Sequence, residues 1–555
     1  MTGTRRSHLL AILLLTWVVA GCYWNSLSNG FVADDAIHIV TNTMIKDPRL
    51  LPHLVTKAYF SDSLMPMYRP VYTLSLFMDY RFSGLNPFGF HVTNLLLHLG
   101  TAVLVYAFFV LLFAQPRAAL VGAALFAAHP AHTEAVSWIS GRGIILAVGP
   151  VLAALCCFLR RERSSSQTAR AWLLAAGLAA YGVALLAKES SAVLILLLTL
   201  VDWARHRPGP GPGPGPGDVR SRRSLYAGVA LVTAGYLILR FGIMAFPQAQ
   251  TWPPLGERLR VWPYATWLHL RLLLSPLDLA YERTFQSPMG VMDPMVLFPA
   301  AVITALLLGL LWLWYREERL ACVGLLWIFV ALGPVSNVIP FLPAVGLQPV
   351  APRHLYLPAV GFTLLLSLAF TRLRSRAMSL GLAGLLVLTY GTITIQRNPV
   401  WHDNFSLWQD TAEQVPQNPE AHNNLGVEYE RRGDAKRAVR EFAWATYLFP
   451  GYAIAYHNIG LVYFKQGRLD LAARYLRQAL RLNPLHPQAL AHLGIVYQRQ
   501  GRFERAIRLY RPSLKEDPRQ AEVWANMGAA YAATGRQALA LKAFEEAQRL
   551  TRDRP

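Results

Sequence analysis

Residues 91–113 read HVTNLLLHLGTAVLVYAFFVLLF, 23 consecutive positions without Asp, Glu, Lys or Arg. A helix of about 20 apolar residues covers the hydrocarbon core of a bilayer, so this stretch alone predicts a membrane span. Similar runs lie on either side of it. Together they predict about eleven spans, at roughly 9–27, 91–113, 118–138, 143–159, 171–187, 190–203, 225–243, 295–314, 320–340, 354–371 and 377–395. The stretch 261–274 is apolar but short, with Arg260 and Arg271 at hand, and reads as an interfacial or re-entrant helix.

Composition agrees. Of 555 residues, 54% are hydrophobic and only 15% charged, whereas soluble globular chains carry about 25% charged residues. A disordered chain, a coiled coil and an ordinary cytosolic enzyme are excluded. The net charge of +21 would suit nucleic acid, but the surplus sits in short loops between apolar runs. Alternate loops hold Arg5-Arg6, Arg117, Arg160 to Arg170, Arg205 to Arg223, Arg316 with Arg319, and Arg372 to Arg376. Such a bias marks cytoplasmic loops, so the partner is a membrane and not a nucleic acid. An odd number of spans then puts the C-terminal part outside. The Gly-Pro run 209–217 reads as a cytoplasmic linker. Arg5-Arg6 before the first apolar run reads as the flank of an uncleaved signal anchor, although Val19-Ala20-Gly21-Cys22 resembles a lipoprotein cleavage box. Cys22, Cys156, Cys157 and Cys322 all lie in apolar runs and form neither a disulfide framework nor a zinc motif.

After Arg397 the chain becomes polar and repetitive. Leu425-Gly426, Ile459-Gly460, Leu493-Gly494 and Met527-Gly528 are spaced by 34 residues, as are Tyr429, Tyr463, Tyr497 and Tyr531. Gly433, Gly467, Gly501 and Gly535 keep the same spacing, and Pro450, Pro484 and Pro518 close three units. Small residues let two antiparallel helices approach, Tyr fills between them, and Pro ends the second helix. This period resembles the tetratricopeptide repeat (TPR). Repeats are expected at 419–450, 451–484, 485–518 and 519–552, after a half repeat at 404–416. Trp524 matches the family's tryptophan; His422, Tyr456 and Leu490 depart from it. The fold class is therefore all-α: a polytopic membrane bundle over 1–397, then a TPR solenoid over 401–555 that takes a peptide or protein in its groove.

The topology gathers several polar motifs on the outer face. These are Asp34-Asp35 directly after the first span, Tyr68-Arg69-Pro70, His129 to Glu134 with Gly141-Arg142, Lys188-Glu189, and Arg353 to Pro358. Charges near a bilayer are costly, so their convergence marks a site. In their order these motifs, with Phe31 to Asp35, Gly89-Phe90-His91, Asn94 and His98, resemble the transmembrane-and-TPR protein O-mannosyltransferases. That family belongs to the class C glycosyltransferases, which use a polyprenyl-phosphate sugar. The resemblance covers nearly the whole chain, and family members often carry more repeats.

The residues suit this chemistry. Sugar transfer to a hydroxyl needs a base for the acceptor proton and cations for the departing phosphate. Adjacent Asp34 and Asp35 can divide the roles of base and orienting group, and Asp35 is marginally favoured as base. Arg353 is the leading phosphate contact because its guanidinium fork matches phosphate oxygens. Arg69, Arg142 and Lys188 are further candidates, and Glu134 either pairs with Arg142 or assists the acceptor. No metal site is firmly marked: Pro130 interrupts the spacing of His129, His132 and Glu134, and a divalent cation fits better at Asp34-Asp35. Asn94 and His98 either pack between helices or line the donor path.

The expected function is transfer of a hexose, by resemblance mannose, from a polyprenyl-phosphate donor to a protein Ser/Thr hydroxyl on the extracytoplasmic face. The alternatives are a non-catalytic membrane-anchored TPR scaffold and a lipid-linked glycan ligase or polymerase. Arg- and Ala-rich composition points to a bacterial inner membrane with the array in the periplasm.

Overall fold

The computed structural model describes residues 2–56, 68–205, 216–243, 253–283, 290–338 and 349–552. Most of the linker expected at 209–217 lies outside the described residues. The chain divides into two compact units, 1–407 and 408–555.

The first unit is a helix bundle and the chain is a multi-pass membrane protein. Among the described residues, seven helices are long and apolar enough to cross a bilayer: Arg6–Ser28, Pro87–Phe113, Ile139–Arg163, Gln167–Ala187, Arg222–Gly242, Pro294–Tyr315 and Arg376–Trp401. Three further apolar helices, Pro116–Ala128, Arg319–Val335 and Pro358–Thr371, are shorter. The eleven spans expected are thus not all continuous helices. The run 118–138 stops at Ala128, because Pro130 forces His129 into an extended conformation (φ −65°, ψ 124°) and a 3₁₀ turn Pro130–His132 follows. The run 320–340 breaks at Gly333-Pro334. The run 190–203 begins with a 3₁₀ turn, Glu189–Val193, so its α-helix starts only at Leu194. The stretch read as a short interfacial helix at 261–274 is instead the end of a 20-residue helix, Leu255–Leu274, with Pro263 inside it.

Burial separates inner from outer helices. The span Ile139–Arg163 is 78% buried within the protein, whereas Pro294–Tyr315 is 17% buried. The latter turns Leu308, Leu311, Trp312 and Trp314 outward, as a lipid-facing helix must. One close inner crossing joins Arg319–Val335 to Pro358–Thr371. A Cβ on Gly361 would lie 2.6 Å from the Gly324 carbonyl oxygen, so only glycine permits that backbone approach.

The second unit bears out the 34-residue period. Helix pairs Pro419–Arg431/Ala435–Leu448, Ala453–Lys465/Leu469–Leu482, Pro487–Arg499/Phe503–Glu516 and Ala521–Ala533/Gln537–Arg552 form four repeats. Gly433, Gly467, Gly501 and Gly535 take φ between +73° and +79° at the turn inside each pair, which a Cβ would strain. The groups filling the helix–helix gap are Phe442, Leu476, Tyr510 and Phe544, seated on Gly426, Gly460, Gly494 and Gly528. The tyrosines expected there, Tyr429, Tyr463, Tyr497 and Tyr531, pack against the same clusters beside them. His422, in the family's tryptophan position, places Nδ1 2.9 Å from Glu441 and Nε2 3.0 Å from the Pro416 carbonyl oxygen. Polar contacts there replace the packing of an indole.

Candidate active site

The turn carrying Asp34 and Asp35 is fixed before any ligand arrives. After the first helix the chain passes through a 3₁₀ segment, Trp24–Ser28, and then extends. Ala33 sits at φ +49°, a left-handed conformation that a non-glycine residue holds only when its surroundings impose it. Those surroundings are the segment after the last membrane helix. Gly30 N–H donates to the His402 carbonyl oxygen (2.9 Å), and Ala33 N–H donates to Asn404 Oδ1 (2.7 Å).

This geometry gives the two carboxylates different environments. Asp35 is fully buried. Its Oδ2 accepts from Val32 N–H (3.0 Å), and its Oδ1 accepts from Ser140 N–H (2.9 Å) and from the Ser140 hydroxyl. Burial pushes this carboxyl up to about 7, against the pull of those donors. Asp34 is exposed on the other side of the turn. Desolvation by the neighbouring chain raises its carboxyl, and the charge of Arg353 pulls it back.

Arg353 enters from a 3₁₀ turn, Pro352–Leu355. Its Nη1 lies 2.5 Å from Glu134 Oε1, its Nη2 lies 2.7 Å from Glu282 Oε1, and its backbone N–H donates to Glu134 Oε2 at 2.7 Å. The guanidinium packs over the rings of Tyr281 and Trp138. Glu134 is raised by burial and lowered by Arg353. A second cluster joins it: Glu189 accepts from Arg69 (2.8 Å) and Arg240 (3.3 Å), whose charges outweigh its burial and hold it at about 2. Lys188 lies between the clusters. Burial and Arg69 bring it down to about 7, and it makes no ion pair among the described residues. Lys188, Arg353 and His354 line a cavity of about 40 Å³, room for water but not for a sugar.

The structure therefore brings together Asp34, Asp35, Glu134, Lys188, Arg353 and Arg69 from five stretches far apart in sequence. Arg142 is different. It is fully buried, forms an ion pair with Asp79 (2.5 Å), and donates to Asn94 Oδ1 (2.8 Å) and the Phe90 carbonyl oxygen (2.8 Å). It ties helices Pro70–Ser83, Pro87–Phe113 and Arg142–Arg163 together, and of the two roles open to Glu134 in the sequence the pairing with Arg142 is not made: Glu134 pairs with Arg353. Asn94 and His98 are also internally satisfied: Asn94 donates to the Val136 and Trp138 carbonyl oxygens, and His98 contacts Tyr356 and Ala127. Among the described residues no three His, Cys, Asp or Glu side chains are placed to hold a metal. Sequence reading missed Ser140 and Glu282. Ser140 adjoins the Gly141-Arg142 motif, a usable signal; Glu282 lies in a stretch without periodicity and gives none.

Both parts of the chain are similar to known proteins. The profile of the dolichyl-phosphate-mannose-protein mannosyltransferase family matches residues 9–207. Tetratricopeptide-repeat profiles match 463–525 and 521–554. By sequence, this chain is related to the protein O-mannosyl-transferases. Human protein O-mannosyl-transferase TMTC3 is 24% identical over 490 residues, covering 80% of this chain and 52% of the relative. Human TMTC1 is 27% identical over 503 residues, covering 80% and 56%. The Caenorhabditis elegans protein O-mannosyl-transferase F38B6.6 is 26% identical over 459 residues, covering 78% and 61%. The chain thus spans about half the length of these two human proteins. Among solved structures, MamA is 25% identical with a TM-score of 0.25, over 27% of this chain and 86% of that one.

Proposed function

We propose that this chain is a membrane glycosyltransferase that moves mannose from a polyprenyl-phosphate donor to a Ser or Thr hydroxyl of a protein, on the extracytoplasmic side. The observation that carries the reading is the asymmetry of the Asp34-Asp35 turn beside a cluster of cations. Asp34 is the base. Its exposed carboxylate takes the acceptor proton while the hydroxyl oxygen bonds to the sugar's anomeric carbon. The bond from that carbon to the phosphate oxygen breaks, and the polyprenyl phosphate leaves with the bonding pair. A raised carboxyl is a better match to a proton transfer near neutral pH than an ordinary one.

Asp35 is the positioning residue: with Ser140 and Val32 saturating both oxygens it fixes the turn and cannot turn toward an acceptor. This assignment reverses the marginal preference of the sequence reading. Lys188 receives the departing phosphate, because its charge is uncommitted, and Arg353 adds its field while anchored by Glu134 and Glu282. Arg69 acts through Glu189, and Arg142 holds the helices that carry Ser140. The TPR array binds the acceptor protein.

The test is transfer of radiolabelled polyprenyl-phosphate mannose in membranes, with protein and lipid fractions counted separately. Label in protein, lost at least 100-fold in Asp34→Asn with undiminished membrane expression, is expected. Label appearing only in lipid-linked glycan, or full activity in Asp34→Asn, overturns the proposal.

A further inference from the structure

The candidate site occupies one end of the bundle, and the same helices meet again at their other end. Pro87–Phe113 begins near the site, where Phe90 accepts from Arg142, and ends at Ala114. Pro116–Ala128 runs back toward the site and stops at His129. Arg376–Arg397 begins far from the site and finishes beside the Asp34 turn, where Asn29 donates to the Asn398 carbonyl oxygen. Ala114, Arg117 and Arg376 line one cavity of about 680 Å³. A 27-residue helix separates the two ends by about 40 Å, so this cavity lies at the opposite membrane surface.

Its lining carries Arg117, Arg374 and Arg376 and not one Asp or Glu. All three arginines are exposed, and among the described residues none makes an ion pair. The N-termini of Pro116–Ala128 and Arg376–Arg397 open into the same space and add positive potential. The remaining wall mixes the apolar Val121, Phe370 and Leu380 with the uncharged polar Gln115, Thr371 and Ser379. Leu380, Leu385 and Leu388 continue outward along the last membrane helix, 50%, 61% and 69% exposed. A second cavity on this surface, about 490 Å³, is neutralised: Glu317 and Glu318 line it with Arg205, Arg319 and Arg372, and Arg372 is paired with Glu318. Uncompensated cations above a lipid-facing apolar strip fit a ligand with a phosphate head and acyl tails, as basic pockets between membrane helices do.

We propose that the Arg117–Arg374–Arg376 cavity is a binding site for the headgroup of an anionic phospholipid, in the leaflet opposite the candidate active site. Its tails lie along the Arg376–Arg397 helix. The proposal does not depend on the transfer reaction. The test offers delipidated full-length protein phosphatidylglycerol, phosphatidylcholine or inorganic phosphate and reads adducts by native mass spectrometry. Wild type is expected to retain phosphatidylglycerol at least tenfold over phosphatidylcholine. The combined Arg117→Ala, Arg374→Ala and Arg376→Ala variant is expected to lose that preference, and the three Arg→Lys changes to keep it. A control removing the same charge at the same surface, Arg160→Ala, Arg223→Ala and Arg316→Ala, is expected to keep it too. Equal retention of both lipids by wild type overturns the proposal, as does a preference undiminished in the alanine triple or equally lost in the control. Phosphate adducts as abundant as phosphatidylglycerol would reassign the cavity to a soluble anion.

Discussion

Asp79→Asn removes the counter-charge of a guanidinium that no water reaches. Arg142 is 0% exposed and the Asp79 side chain 10% exposed, with 2.5 Å between them. Asp79 Oδ1 also accepts from the Thr93 hydroxyl at 2.7 Å. In the variant the amide oxygen keeps Thr93 and the new NH₂ faces a guanidinium that can only donate. A buried charge is left uncompensated, which costs about 3–5 kcal/mol. At 1.4 kcal/mol per tenfold, the unfolding constant should rise by roughly 10² to 10³ or more. The double variant Asp79→Leu with Arg142→Met removes both charges. It leaves Asn94 Oδ1, 2.8 Å from Arg142, without that partner, at about 1–3 kcal/mol, and the Phe90 carbonyl oxygen, also 2.8 Å away, with its helical partner alone. The double variant should therefore be more stable than the single one. Reversible unfolding of the full-length protein in mixed detergent micelles measures both. Ser140 lies two residues before Arg142, so transfer activity should fall with the single variant as its grip on Asp35 loosens. An Asp79→Asn variant within 1 kcal/mol of wild type, or a double variant less stable than the single, refutes the reasoning.

Two further outcomes follow from the same geometry. Lys188, held near 7 by burial and Arg69, is cationic below that pH and neutral above it. KM for the lipid donor should rise about tenfold from pH 6 to pH 8, and Lys188→Arg should flatten the profile; an unchanged slope in steady-state kinetics counts against Lys188 as the phosphate contact. In the TPR array, a Cβ at Gly494 would stand 2.4 Å from the Tyr510 ring, which is fully buried and bonded through its hydroxyl to Gln498 at 2.7 Å. The ring cannot retreat, so Gly494→Ala should cost about 1–3 kcal/mol, seen as earlier loss of helical circular dichroism; an unshifted transition contradicts the packing.

The two-part, all-helical architecture is legible in the chain itself. Long uncharged runs such as 91–113 have one solution in a bilayer, and a 34-residue period with glycine at fixed positions has one packing. The sequence also marked which polar motifs belong together, because a charge at a span end is retained only at a cost. Which partner each of those charges meets depends on contacts between distant segments. Asp34 and Asp35 are equivalent as letters, but Ser140, 105 residues away, takes Asp35 and leaves Asp34 open. Arg142 and Arg353 are both candidate phosphate contacts in sequence, Arg353 the leading one, yet Asp79 and Asn94 absorb the first, whereas Glu134 and Glu282 hold the second at the site's edge. Lys188 stands apart because its neighbour Glu189 is already engaged by Arg69 and Arg240. Span ends behave the same way: Pro130 and Gly333-Pro334 are visible in the chain, but whether each ends a helix or only bends it depends on the partners that receive the freed backbone groups. Hydropathy and period are one-dimensional properties of a chain, whereas the pairing of charges depends on which distant segments the fold sets side by side.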